Sequence, residues 1–210
     1  AKSNIFSGAY TTVFNVQRNE TIPSGTEAVR TQITQLTLEA KTEYVCRPKL
    51  RQSVYRLVKI TNGDDAPLLP GSVAMFADAD FIGKATLRQR VSPSEQFELA
   101  FGADDDVEVT RKTIRSKKGK KGDRIKIIQD VAIQFTNNAP EARTIRLEEV
   151  LPVSRDNRIK IKLDKIVPEP SIDEATGMAV WSLDLDPGQK LALDICYQIE
   201  YPRNLRVSGL

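Results

Sequence analysis

The chain has 210 residues, with 31 lysines and arginines, 28 aspartates and glutamates, and no histidine, so its formal net charge is +3. The absence of histidine excludes Ser-His-Asp and Cys-His nucleophile systems and every metal site with an imidazole ligand. Apolar residues make up 40% and charged residues 28%, which is ordinary for one large or two small globular domains.

Apolar and polar residues alternate with a period of two along most of the chain, and helical periodicity is almost absent. In chain order, this alternation predicts strands over Thr12–Arg18, Val29–Leu38, Tyr44–Arg47, Ser53–Asn62, Gly71–Ala77, Phe81–Leu87, Glu95–Phe101, Val107–Arg115, Arg124–Asn137, Arg143–Leu151, Arg158–Val167, Ala179–Leu185 and Gln189–Tyr201. The short connection Asp78–Asp80 favours a hairpin between its two flanking strands. Short strands separated by turn residues at such spacing are typical of sandwiches and barrels. We therefore predict an all-β fold with antiparallel β-sandwich architecture, as two packed immunoglobulin-like or other sandwich units.

The least apolar segment, Ser116–Asp123, is the expected boundary between the two units. This gives an N-terminal β-sandwich unit over 1–115 and a C-terminal unit over 116–210. The flanking strands Val107–Arg115 and Arg124–Asn137 also fit one long hairpin with lysines at its tip. That hairpin would connect two sandwiches or lie within one continuous elongated domain.

The basic hairpin, residues 111–126, has the most unusual composition in the chain. Nine basic residues and one acid give it a net charge of +8, whereas the other 22 basic and 27 acidic residues sum to −5. The basic residues are Arg111, Lys112, Arg115, Lys117, Lys118, Lys120, Lys121, Arg124 and Lys126. Such a cluster attracts acidic polymers, and it also fits a solvated hairpin tip that protects a strand edge. No aromatic residue interleaves with it, so we expect no specific recognition of nucleic acid.

Acidic residues offer little evidence of a metal site. Asp104–Asp106 and the pair Asp78 and Asp80 lack the spacing of a calcium loop, and they fit turns that hydrogen-bond their own backbone. The distant Cys46 and Cys196 have no metal-ligand spacing, and their apolar surroundings favour buried free thiols over a disulfide. We therefore expect no metal and no cofactor.

Carboxylate pairs are the remaining candidates for acid–base catalysis, and they are weak ones. Glu148 and Glu149 are neighbours, so on a strand they would point to opposite faces. These two residues and the pair Glu95 and Glu98 fit solvated strand faces better than a catalytic cleft. Trp181 alternates with Leu183 and Leu185, which favours a place in the core over a carbohydrate platform. We expect no catalytic residues and no enzymatic activity.

Several short segments occur in an order that resembles a known family. They are Ile22–Gly25, Glu43–Pro48, Val54–Asn62, Pro67–Gly71, Phe81–Lys84, Phe97–Asp104, Glu149–Ser154 and Tyr197–Pro202. Together they resemble the C-terminal domain, of unknown function, of the mucoidy inhibitor A family, over about Phe14 to Gly209. The resemblance implies an all-β fragment of a longer bacterial protein and a link to exopolysaccharide control, with no catalytic residue to transfer. It leaves open that the full-length protein oligomerises through a coiled coil absent from this chain.

Two functions follow as hypotheses. The first is a non-enzymatic binding or scaffold domain that contacts a protein or an acidic polymer through the basic hairpin. It is favoured at the cell envelope, and the sequence has no segment apolar enough to span a membrane. The second is a carbohydrate-binding or carbohydrate-active β-sandwich module, which would need exposed aromatic side chains along a groove.

Overall fold

The computed structural model describes residues 4–7, 12–15, 24–25, 31–77, 79–205 and 207, and in that part of the chain every regular element is a strand. The fourteen strands are β1 (Asn4–Ser7), β2 (Thr12–Asn15), β3 (Glu39–Arg47), β4 (Arg51–Thr61), β5 (Gly71–Ala77), β6 (Asp80–Leu87), β7 (Gln96–Asp104), β8 (Val107–Lys121), β9 (Arg124–Asn137), β10 (Arg143–Val150), β11 (Lys160–Val167), β12 (Ser171–Asp173), β13 (Met178–Leu185) and β14 (Lys190–Pro202). The predicted all-β sandwich class is confirmed. No helix in these ranges is long and apolar enough to cross a membrane.

Unit 2 comprises Glu43–Leu57 and Gly102–Leu210, and it is a β-sandwich. One of its sheets has the order β11-β14-β9-β8 and is antiparallel throughout. The other is part of a six-stranded sheet with the order β12-β13-β10-β3-β4-β7. In the second sheet β3 and β10 run parallel, with Cys46 opposite Leu147. Alternate residues of both sheets meet in one core, which includes the fully buried Phe135, Ile133 and Leu185. Burial of these side chains is the main source of stability for the unit.

Unit 1 comprises Ala1–Thr42 and Val58–Phe101. It contains two antiparallel hairpins, β1–β2 and β5–β6, and the second confirms the predicted strand pair around residues 78–80, although Asp78 itself lies outside the described residues. Asn62 is fully buried and its side-chain amide donates to the carbonyl of Ala66 at 2.8 Å and to that of Ser92 at 3.2 Å. These bonds hold two loops together because a buried amide must be satisfied within the protein.

Two sequence-based expectations differ from the structure. The segment 31–38 is not a strand, although Thr34, Leu36 and Leu38 are half-buried in alternation with exposed residues. Alternation reports which side chains are covered, whereas a strand also needs a neighbouring strand to pair with. The remaining parts of these predicted strands, residues 16–18 and 29–30, lie outside the described residues. The chain also divides elsewhere than at Ser116–Asp123, because that segment lies within a single hairpin of unit 2.

Candidate binding sites

The basic hairpin is built from β8 and β9, which pair from Val107 opposite Asn137 to Lys121 opposite Arg124. The predicted tip lysines are therefore strand residues, and the turn itself is only Gly122 and Asp123. Gly122 has a φ of +58°, which suits glycine at the first central position of a type II′ turn. A β-bulge between Thr113 and Arg115 shifts the register, so the two parts of β8 present alternate residues differently to the core.

Arg111 is a half-buried basic residue of the hairpin that pairs across the two sheets. Its side chain is 20% exposed, and it forms a bidentate ion pair with Glu149, whose side chain is 3% exposed. The Nη2–Oε1 distance is 2.8 Å and the Nε–Oε2 distance is 3.3 Å. The Arg111 backbone N–H also donates to the side chain of Gln52 at 2.9 Å. Arg111 therefore joins the two sheets of unit 2, and its charge is largely compensated there.

Four other basic residues have partners in the same sheet or in the turn that precedes β11. Arg115 pairs with Asp130 at 2.7 Å, and Lys121 and Lys126 approach one oxygen of Glu200 at 3.2 Å and 3.7 Å. The hydrogen bond from Lys121 lowers the pKa of Glu200, with the positive charges of its neighbours adding to the effect. Arg124 donates to the main-chain carbonyls of Arg158 and Glu200. Arg115, Lys121 and Lys126 are thereby partly compensated by carboxylates, whereas Arg124 bonds neutral carbonyl groups.

The remaining four, Lys112, Lys117, Lys118 and Lys120, are exposed and form no ion pair with the described residues. A hollow of about 670 Å³ lies beside the hairpin, and five lysines contribute to its wall: Lys117, Lys118, Lys120, Lys121 and Lys126. β8 is also the outer strand of its sheet. The structure thus gathers most of the predicted basic residues on one exposed strand and leaves a group of them uncompensated.

A second concave site, the unit 2 cleft, has a volume of about 850 Å³. Its floor is formed by the core-facing side of β9 and β14, including Gln129 and Tyr197, and its cover by the segment 150–156. The Tyr197 hydroxyl donates to the Gln129 side-chain carbonyl, and burial raises the pKa of Tyr197. Isoleucines line the next part of the floor, so the cleft combines an apolar wall with a few oriented polar groups. Small-molecule sites have this composition and size.

Gly177 holds the cover of this cleft in place. Its φ is +73°, and a Cβ atom there would lie 2.4 Å from the carbonyl oxygen of Leu151 and 2.9 Å from Cγ1 of Val153. The Gly177 carbonyl in turn accepts a hydrogen bond from the N–H of Leu151 at 2.8 Å. Only glycine permits both this backbone conformation and this close approach.

The candidate carboxylates on β10 are buried, contrary to the expected solvated faces. Glu148 does lie on the opposite side of β10 from Glu149, and it accepts from Arg47 at 2.6 Å and pairs with Arg146 at 3.1 Å. Asp104 is also buried, 3.5 Å from Arg143. Each of these carboxylates is engaged by arginine, as buried charges generally are. Within the described ranges, no group of three or more acidic or cysteine side chains is placed to hold a metal ion.

The cysteines and the tryptophan belong to the framework of unit 2. Both cysteines are free; Cys46 is buried and Cys196 is half-buried. Burial, with the nearby charge of Glu149, raises the pKa of the Cys46 thiol to about 12. Trp181 is 3% exposed, which confirms its predicted place in the core, and its indole N–H donates to the carbonyl of Pro168 at 2.7 Å.

Sequence reasoning missed the Arg111–Glu149 pair and the cleft. The two residues are 38 positions apart and lie on different sheets, so no local spacing connects them. The isoleucines at 127, 159, 161 and 199 read as ordinary strand positions. Their only signal was alternation, which does not distinguish a filled core from a lined cavity.

The fold and these sites define an all-β sandwich domain with an exposed basic hairpin and an amphipathic cleft. The chain belongs to the family described as "Domain of unknown function (DUF4139)", which matches residues 6–203. It is also similar to a protein of Caenorhabditis elegans called Protein F37C4.5, with 28% identity over 204 residues. The match covers 90% of this chain and 36% of that relative, so the chain spans little more than a third of the relative's length.

Proposed function

We propose that this chain is a non-enzymatic binding domain of a larger protein and that its basic hairpin contacts an acidic polymer or an acidic protein surface. The observation that supports this best is the set of five lysines around one hollow, of which only Lys121 and Lys126 approach a carboxylate among the described residues. Uncompensated lysines on an exposed strand raise the local concentration of polyanions. Burial of Glu148 and Glu149 in arginine pairs supports a structural rather than a catalytic use of these acids.

The family resemblance suggests which acidic polymer to test first. The ordered segments from Ile22–Gly25 to Tyr197–Pro202 resemble the mucoidy inhibitor A family of bacteria, and this makes an acidic exopolysaccharide one candidate. We extend the proposal to a role in exopolysaccharide control on this ground. The same electrostatic attraction would act on any regularly charged acidic chain.

Chromatography on immobilised heparin tests the hairpin directly. The variant Lys117/Lys118/Lys120/Lys121→Ala is expected to elute at clearly lower salt than the wild type, because each lost contact reduces counterion release. The matched control is Arg51/Lys160/Lys162/Lys165→Ala, which removes four exposed positive charges from other parts of unit 2. We expect the control to elute close to the wild type. Equal elution of the two variants would show that retention depends on net charge alone and would contradict the proposal.

A carbohydrate-binding role is the second candidate, and one feature of unit 1 favours it. Phe76 and Phe81 are 56% and 55% exposed and lie edge to face, with their ring centroids 5.5 Å apart. Exposed aromatic side chains stack on sugar rings and are also common at protein interfaces. A column of neutral dextran run in parallel separates the two functions, since retention there would depend on the aromatic pair and not on the lysines.

A further inference from the structure

The unit 2 cleft has a polar part and an apolar part, and the strand register places them next to each other. Gln129 on β9 lies opposite Tyr197 on β14, and these two form the hydrogen-bonded polar floor. Two residues closer to the hairpin turn, Ile127 lies opposite Ile199, which lies opposite Ile161 on β11. Because residues two apart share one face of a strand, a row of isoleucines continues directly from the polar floor.

The isoleucine row forms an apolar cluster of its own. Ile127 and Ile199 belong to a small apolar cluster that is separate from the main core of the unit, and Ile159, Ile161 and Leu205 pack around it. The cleft nevertheless leaves about 850 Å³, which lies within the usual range of about 300–1,000 Å³ for small-ligand sites. Apolar walls around such a volume favour an elongated aliphatic group.

The lining carries an excess of positive charge. Lys49, Arg111 and Arg155 contribute to it, and Asp156 is the one acid among the described residues of the lining. Arg111 is compensated by Glu149, and Asp156 is engaged by Arg158 at 2.6 Å. Lys49 and Arg155 are exposed and have no ion pair with the described residues, so their charges remain available to a ligand.

We propose that the unit 2 cleft binds a single-chain amphiphile with an anionic head group, such as a fatty acid. Its aliphatic chain lies along the isoleucine row, and its carboxylate is held by Lys49 and Arg155. The hydrogen-bonded floor of Gln129 and Tyr197 limits how far the chain extends toward the core. This site does not involve the lysines of the hollow beside the hairpin, so it stands independently of the function proposed above.

Isothermal titration calorimetry with monomeric decanoate tests the site. We expect saturable binding to the wild-type chain and about tenfold weaker binding to Lys49→Glu/Arg155→Glu, because two favourable charges become repulsive. The matched control Arg51→Glu/Lys112→Glu reverses two exposed charges outside the cleft and is expected to bind as the wild type does. The hairpin variant Lys117/Lys118/Lys120/Lys121→Ala should also bind decanoate normally, which separates this test from the heparin test.

A blocking variant tests the location of the aliphatic chain. Thr113 lines the cleft and is exposed, so Thr113→Trp is expected to fill part of the volume and abolish decanoate binding without unfolding the sheet. Its thermal unfolding curve should match that of the wild type. No saturable heat with the wild type, unchanged affinity in a folded Thr113→Trp, or equal affinity for decanoate and 1-decanol would each overturn the proposal.

Discussion

The two halves of β8 show how one strand serves two purposes. In Val107–Thr113, alternate residues enter the core, and the single arginine facing inward is paired with Glu149. In Arg115–Lys121, every side chain is exposed and five of the seven residues are basic. The bulge at Thr113/Arg115 separates the halves. The inward-facing charge of the first half therefore has a buried partner, whereas in the second half solvent stabilises the charges and leaves Lys117, Lys118 and Lys120 without an ion pair among the described residues.

Two isoleucines on β9 give the largest expected contrast between these halves. Ile133 lies opposite Arg111 and is fully buried, whereas Ile128 lies opposite Lys117 and is half-buried. We expect Ile133→Ala to lower the free energy of unfolding by about 4 kcal/mol, and Ile128→Ala by about 1 kcal/mol, because only the first leaves a cavity in the core. Urea unfolding followed by the fluorescence of Trp181 measures both. Equal losses would show that the two halves do not differ in packing.

The next contrast concerns the charges on β8. Arg111→Met leaves Glu149 buried without its partner, and we expect a loss of about 2 kcal/mol, since Arg111 retains some exposure. The matched change Lys118→Met, in the exposed half, is expected to cost less than about 0.5 kcal/mol. The double variant Arg111→Met/Glu149→Leu should recover most of the loss, as it removes both charges. If the double variant is no more stable than Arg111→Met, the unpaired carboxylate of Glu149 is not the cause of the lost stability.

The two thiols provide the smallest contrast. Cys46 lies in the core, and Cys196 lies on the outer side of the sheet that contains β8 and β9. Cys196 lies opposite Asp130, the partner of Arg115, and is half-buried, whereas Cys46 is fully buried. Burial raises the pKa of both thiols, that of Cys46 to about 12, so both are protonated near neutral pH. Because the unfolded chain releases these protons at lower pH than the folded protein does, the free energy of unfolding falls only as the pH rises above about 9. We expect iodoacetamide at pH 8 to modify Cys196 at least about tenfold faster than Cys46. Mass spectrometry of the native protein measures this, and full unfolding in urea, which should equalise the rates, is the control.

Much of the fold was predictable because it depends on local patterns. Most strands of unit 2 were expected close to their observed bounds, since each alternates regularly between turn residues. One exception is β8, which was expected to end at Arg115 and continues to Lys121. The segment 31–38 was predicted wrongly because an extended chain with alternating burial resembles a strand until pairing is known. The three-residue strand Ser171–Asp173 was missed because it is too short to show a period.

The concentration of basic residues in the hairpin was predictable, but its division into paired and unpaired residues was not. Nine basic residues among sixteen are visible in composition, and the polyanion proposal rests on most of them. Whether Arg111 is exposed or paired depends on Glu149, which lies on a strand of the other sheet. The unit 2 cleft likewise depends on how the segment 150–156 covers β9 and β14. Such contacts join residues that are far apart in sequence, where periodicity carries no information.

The sequence by itself determined the all-β class, the lack of imidazole chemistry and the concentration of positive charge in residues 111–126. These properties follow from composition and from patterns within a few residues. The tertiary structure alone decided that Arg111 is half-buried and paired with Glu149 while Lys117, Lys118 and Lys120 stay exposed, and that the isoleucine row lines a cleft. The physical reason is that burial of charge and the filling of space depend on which distant elements meet, and the lowest free energy is set by all their contacts together.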